Sequence, residues 1–275
     1  MRRSISLAPL LATLASLATV KPAAADDAAD CDGADPAVGI PACTRLIEAA
    51  APTDAVVAAY VRRAKHRIIE GDLDTALADI DEALRRDPTH ADAHHNRGIV
   101  YSFQGRYEEA LDALDEAIRS SPETSAESRH TRGRIHLATG DLDAALAEFD
   151  AALEVDGRHV DTLISRGGTY QLAGDVDHAL ADYETALRID ADNPDALSNR
   201  AILYLTTSRY DEAIADFDRA LELDPENALN YFQRAAAHAA LGQRDPAIAD
   251  LREALALQPS FQEAAEALAQ LGAAP

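Results

Sequence analysis

The 275-residue sequence has no G-x-S-x-G turn, no H-E-x-x-H helix and no Gly-rich run ending in Gly-Lys-Ser or Gly-Lys-Thr. The local geometries that expose a nucleophilic serine, hold a catalytic zinc or cradle a phosphate are therefore missing, and the pattern points away from an enzyme and away from a cofactor. Cations are scarce: 25 Lys and Arg stand against 48 Asp and Glu, for a net charge of −23. Without a basic stripe to neutralise phosphates, nucleic acid is excluded as a partner. Only two cysteines occur, Cys31 and Cys43, with eleven residues between them and no histidine nearby, which supports neither a zinc site nor a C-x-x-C redox pair. Long apolar runs are scarce too. The one extended stretch, Ile5 to Val20, has sixteen residues, short of the roughly 20 that a membrane span needs.

That stretch has another use. Arg2 and Arg3 precede it, and Lys21-Pro22 and Ala23-Ala24-Ala25 follow it before the first acid, Asp26. This is the layout of a secretory signal peptide over residues 1–25, cleaved after Ala25, and it predicts a secreted or periplasmic mature chain with no membrane span. A mitochondrial presequence is the alternative, since arginine and serine are present and acids absent, but the amphipathic pattern of such segments is missing. Cleavage removes the three cations Arg2, Arg3 and Lys21 and takes the net charge from −23 to −26. In an oxidising compartment a close, even pair of cysteines predicts a disulfide between Cys31 and Cys43, with two reduced, inert thiols as the alternative.

What the sequence has in abundance is repetition. NRGIVYSFQGRYEEAL, from Asn96, returns as NRAILYLTTSRYDEAI, from Asn199, and the interval is three steps of 34 plus one residue. Six 34-residue units follow, at 57–90, 91–124, 126–159, 160–193, 194–227 and 228–261, with Ser125 as the odd residue. A fixed period of this size is the mark of a repeat architecture. The eighth column is Ala64, Gly98, Gly133, Gly167, Ala201 and Ala235; the twentieth and twenty-seventh columns are alanine throughout. Three small columns let two helices approach closely. Larger residues complete a helical-period apolar stripe, among them Tyr101, Tyr170 and Tyr204 at column eleven and Ile80, Leu114, Phe149, Tyr183, Phe217 and Leu251 at column twenty-four. Gly71, Gly105, Gly140, Gly174 and Gly242 stand where a positive φ would end a unit's first helix, and Ser208 is the exception.

Glycine at eight, tyrosine at eleven, alanine at twenty, Phe or Tyr at twenty-four, alanine at twenty-seven and proline at thirty-two together resemble the tetratricopeptide repeat, over about 205 contiguous residues. The resemblance implies an all-α solenoid, a right-handed superhelix of helix pairs. It implies six repeats over 57–261, a capping helix and tail over 262–275, and a concave face that binds a protein or peptide. Residues 26–56 are expected to hold an unstructured start and a half-repeat, because GIPACTRLI (Gly39 to Ile47) echoes a second helix. The chain is similar in this respect to exported bacterial members of the family with a cysteine-paired leader.

One column departs from the family pattern. The seventh is Arg63, Arg97, Arg132, Arg166, Arg200 and Arg234, and the twenty-third supplies Asp79, Glu148, Asp182, Asp216 and Asp250, with Ala113 as the gap. An internal structural ladder of guanidinium–carboxylate pairs is the natural expectation. The dense histidine cluster His90, His94 and His95 is broken up by the inter-repeat turn, so it predicts no metal site.

The resemblance places the concave face on the first helix of each repeat. Arg62, Lys65, His95, Asn96, Ile99, His130, Thr131 and Arg134 then make its first half polar and basic, and Ile164, Asn199, Ile202, Phe232 and Gln233 make its second half more apolar. Of the Lys/Asn/Arg clamp that chaperone-binding relatives use for a terminal carboxylate, only Asn96 survives in the relevant columns. The expected function is an exported interaction scaffold that binds in this groove. The alternative is a structural subunit of a cell-envelope assembly that uses its convex face or its ends.

Overall fold

A computed structural model describes residues 23–49 and 53–274; the expected signal segment up to residue 22 lies outside them. Among the described residues, fifteen α-helices run in chain order: α1 Ala23–Asp32, α2 Pro36–Glu48, α3 Thr53–Glu70, α4 Leu73–Arg86, α5 Ala91–Phe103, α6 Tyr107–Ser120, α7 Ala126–Ala138, α8 Leu142–Val155, α9 Val160–Leu172, α10 Val176–Ile189, α11 Pro194–Thr206, α12 Tyr210–Leu223, α13 Ala228–Ala240, α14 Arg244–Leu257 and α15 Gln262–Gln270. No described helix is long and apolar enough to cross a membrane. The chain divides into two compact units, up to Asp87 and from Pro88 onward.

In the second unit the helices pair as α5–α6, α7–α8, α9–α10, α11–α12 and α13–α14, each pair packs on the next, and α15 closes the row against α14. The small columns explain the close packing. A Cβ on Gly133 would lie 2.5 Å from the Phe149 ring, one on Gly98 2.6 Å from Leu114, and one on Gly167 2.8 Å from Tyr183, so the bulk at column twenty-four occupies the space that column eight vacates. The glycines between paired helices serve the backbone instead: their φ values run from 72° to 84° with open space around them. Ser208 adopts a φ of 62° at the same place and carries the strain that a β-carbon brings to this region.

Helix starts are fixed by a column that the periodicity did not flag. His90, His159, Asn193 and Asn227 end their repeats, and each accepts a hydrogen bond from the backbone N–H three residues on, satisfying a donor that the first helical turn leaves unpaired. Asp72, Asp141 and Asp175 do the same for α4, α8 and α10. At the equivalent positions before α6 and α12 stand Arg106 and Arg209, with no side-chain cap. Their guanidinium carbons sit 4.0 and 4.2 Å from the ring centroids of Tyr101 and Tyr204, and they pair with Glu109 and Glu212 at 2.9 Å. The stretch written twice in the sequence is thus a local turn device that combines cation–π and ionic contacts.

The first unit corrects the expected leader. Its start is not unstructured: α1 and α2 form a helix pair of their own, α2 packs on α3, and α3 begins at Thr53 and pairs with α4. Cys31 on α1 and Cys43 on α2 are bonded at 2.08 Å and fully buried with Ala42 and Ala59. Column twenty is glycine in this leading pair because a Cβ on Gly39 would lie 2.1 Å from the His66 ring. Nε2–H of His66 donates to the Cys31 carbonyl at 3.0 Å, so the ring fills the position that alanine holds elsewhere.

Candidate functional site

The seventh-column arginines are turned into the helix pairs. Arg63, Arg166, Arg200 and Arg234 each grip the carboxylate sixteen residues on with Nε and Nη2, at 2.6 to 2.9 Å. Arg132 reaches Glu148 at 2.9 Å. The aspartates Asp79, Asp182, Asp216 and Asp250 are all less than 10 % exposed. Planar two-pronged pairing suits arginine and not lysine, and hydrogen bonds to the aspartates hold the guanidinium pKa values above their ordinary range. A second link was not visible in the columns. The remaining prong of Arg132, Arg166 and Arg234 reaches back to Asp115, Asp150 and Asp218 of the preceding repeat, at 2.5 to 2.6 Å, and so stitches those three pairs to the ones before them.

The first helices of the second unit, α5, α7, α9, α11 and α13, lie side by side in one row. Polar bonds between neighbours run along it: His95 Nδ1 lies 3.0 Å from Ser128 Oγ, His130 Nε2 lies 3.0 Å from Ser165 Oγ, and Asn230 donates to Ser198 Oγ at 2.9 Å. The expected groove residues divide accordingly. Arg134 is exposed, Ile99, Asn199 and Gln233 are half-buried, and Ile164 and Ile202 are half-buried against the core. Asn96 and His130 are each only 6 % exposed, which corrects their assignment to an open binding surface: His130 is bonded to Ser165 of the next first helix, whereas Asn199 and Gln233, in the column of Asn96, keep part of their surface. Thr131 bonds to its own helix at the Glu127 carbonyl, 2.9 Å away. Phe232 packs against Phe261 with the rings tilted by 47° and their centroids 4.9 Å apart, and joins the cluster that includes α15 instead of standing open. In the first unit Lys65 is exposed, and Arg62 is held by Asp32 at 2.7 Å.

A cluster of titratable groups joins α7 to α9. His159 caps α9 by accepting the Thr162 N–H at Nδ1, 3.2 Å away. That donor fixes the neutral ring's proton on Nε2, which it gives to Glu127 Oε2 at 2.7 Å. The bond holds the Glu127 carboxyl down at about 2 and raises the His159 pKa. His130, 5.4 Å from the His159 ring, is pushed down to about 4 by burial. The signs follow. A histidine with a lowered folded pKa contributes stability above its unfolded value near 6.5 and loses it as pH falls toward about 4. The raised His159 acts oppositely, contributing most below 6.5 and losing it as pH rises through its folded pKa. Comparison with His130→Gln isolates the first effect: between pH 7 and 5 the wild type is expected to lose about 2 kcal/mol relative to the variant, read from urea midpoints. Parallel pH curves would show that His130 charges freely. Among the described residues, no group of three or more His, Cys, Asp or Glu could hold a metal ion.

Comparison with known proteins gives the architecture a family. Tetratricopeptide repeat models match residues 56–123, 103–166, 167–208, 194–227 and 228–261, without a break from 56 to 261. ETO1-like protein 2 of Arabidopsis thaliana is 30% identical over 122 residues, 44% of this chain, but the match spans only 12% of that protein. Pseudomonas aeruginosa pilF superposes with a TM-score of 0.71 at 19% identity, over 79% of this chain and 99% of that one. YrrB, described as a repeat protein of this family with an unusual peptide-binding site, gives 0.55 at 20% identity, over 68% of this chain and 96% of its own. With its matched repeats, glycine-terminated helix pairs and small-residue columns, this chain belongs to the tetratricopeptide repeat family.

Proposed function

We propose that this chain is an exported scaffold that binds a protein or peptide segment along the row of first helices and performs no catalysis. The observation that carries the reading is that row itself: α5, α7, α9, α11 and α13 lie side by side, with Arg134 on them exposed and Asn199 and Gln233 partly exposed. Arginine offers a fork for an acidic group, and Asn and Gln both donate and accept, so the set suits an extended backbone with an acidic residue near α7. The peptide-binding site named for YrrB supports this use of the fold by analogy. Export is supported by the apolar segment behind Arg2 and Arg3 and by the Cys31–Cys43 bond, which persists in oxidising compartments. The same proposal divides the helices into six repeats over 57–261, a further cysteine-bridged pair before them, and α15 as a cap that covers Leu251 with Ala264 and Leu268.

The test is affinity capture from the native compartment with wild type, with an Arg134→Glu/Asn199→Ala/Gln233→Ala protein, and with an Ala181→Arg/Ala215→Arg protein altered on exposed second-helix positions. Because buried or charge-assisted hydrogen bonds contribute about 1.5–3 kcal/mol each, the first variant should bind the captured partner at least tenfold more weakly with an unchanged circular dichroism spectrum. The second should bind like wild type. The reverse pattern would reject the groove and favour an envelope subunit working through its convex face.

A further inference from the structure

The acids of this chain avoid one band. Columns six to thirteen, the C-terminal parts of the first helices, hold no Asp or Glu in any of the six repeats, although the chain carries 48 of them. The helix dipole disfavours acids at a C-terminal end, but it does not account for the band, because the second helices α8 and α12 carry Glu154 and Glu222 in their last turns. Within the band Phe103 on α5 and Leu172 on α9 are each 68 % exposed, more than any other large apolar side chain among the described residues. Both stand at column thirteen. Between them, on α7, lie Ala138 at the same column and Arg134 one turn before it, both exposed. The bonds His95–Ser128 and His130–Ser165 join column five to columns three and six, so α5, α7 and α9 run in register and bring these side chains level. Arg132 and Arg166 are held by Glu148 and Asp182, whereas no carboxylate among the described residues pairs with Arg134. We propose, building on the row of first helices as the binding face, that Phe103, Arg134 and Leu172 dock an extended segment of a protein partner that carries an acidic residue between two apolar ones.

Charge selects the acid. The chain has a net charge of −23, so an acidic segment is repelled by most of its surface and meets a cation without competing carboxylates on this band, where the Arg134 fork suits a planar carboxylate. The same net charge disfavours an anionic lipid surface as the occupant. Spacing sets the length. With neighbouring helix axes about 8–10 Å apart, Phe103 and Leu172 are about 20 Å from each other, which an extended chain rising about 3.3 Å per residue covers in about six residues. Arg134 is midway, so the acid falls about three residues from either apolar anchor. Ala138 is small and leaves the path between the anchors open.

The experiment titrates the full mature chain into a blocked, fluorescein-labelled peptide, Leu-Ser-Ser-Asp-Ser-Ser-Leu, and reads fluorescence anisotropy. The peptide should bind saturably, and versions with Lys for Asp, or with Ser for both Leu, should bind at least tenfold more weakly. Phe103→Ser/Leu172→Ser should weaken the Asp peptide at least tenfold, and Arg134→Glu should reverse the preference in favour of the Lys peptide, both with unchanged circular dichroism. No saturable binding of the Asp peptide, equal binding of the Asp and Lys peptides to wild type, or an unchanged response in Phe103→Ser/Leu172→Ser would overturn the proposal. So would a concentration-dependent dimer in sedimentation that the same variant abolishes, which would give the face to a second copy of this chain. The captured partner separates this proposal from the wider one. Weakening by Arg134→Glu/Asn199→Ala/Gln233→Ala but not by Phe103→Ser/Leu172→Ser would overturn the apolar–acidic–apolar ligand and leave the groove standing, and weakening by neither would overturn both.

Discussion

Arg166→Met is expected to lower the unfolding free energy by about 3 kcal/mol, the low end for breaking a buried ion pair, while Arg166→Met/Asp182→Leu recovers most of that loss. Arg166 grips Asp182 with two nitrogens at 2.7 and 2.8 Å and Asp150 with a third at 2.5 Å. The low end applies because the Arg166 side chain keeps 21% of its surface exposed. Removing the arginine strands the carboxylate of Asp182, whose side chain is 8% exposed. Asp150, at 52%, falls back on solvent. The penalty therefore comes from the uncompensated buried charge, and replacing both partners with apolar side chains removes that charge. Urea midpoints of wild type and both variants at pH 7 check this, with the slope monitored because repeat arrays can lose cooperativity. A double variant as unstable as the single one would mean that the ladder acts through its shape and not its charge.

The second large effect belongs to the bridge between α1 and α2. Closing a loop of this length removes chain entropy equivalent to about 3 kcal/mol from the unfolded state in the loop-closure model. The bridged sulfurs lie in a small cluster with Ala42 and Ala59, and the other contacts that hold the alanine- and aspartate-rich α1 are polar: Asp27 to Arg45, Asp32 to Arg62 and the Cys31 carbonyl to His66. A Cys31→Ser/Cys43→Ser protein should therefore exchange its α1 amide hydrogens about a hundredfold faster than wild type, since about 1.4 kcal/mol corresponds to tenfold. Unchanged α1 protection in the double serine protein would show that packing alone fixes the helix. Free thiols in protein taken directly from its compartment would reject the bridge itself.

Much of this molecule could be read from the sequence because each repeat writes its requirements into fixed columns. The small residues at eight, twenty and twenty-seven, the bulk at twenty-four and the positive-φ glycines act within one helix pair, so a 34-residue period displays them directly. The Arg166–Asp182 bond is of the same kind: its partners are sixteen residues apart and face each other across one turn. Three things needed the tertiary structure. The reach of Arg166 back to Asp150 depends on how one pair leans on the next, and the columns do not encode that angle. Of the leading pair, GIPACTRLI shows the second helix, but α1 reads as an unstructured start because its alanine- and aspartate-rich sequence carries none of the repeat's marked columns; the disulfide and the His66 contact show it packed. The burial of Asn96 and His130, on columns expected to face a ligand, does not follow from the column: Asn199 and Gln233 share that of Asn96 and keep part of their surface, and His130 is bonded to Ser165 of the next first helix. Periodicity specifies which residues share a face, because that follows from the turn of a single helix. How much of the face stays open to a partner depends on the distance between helices, which many side chains from several repeats set together.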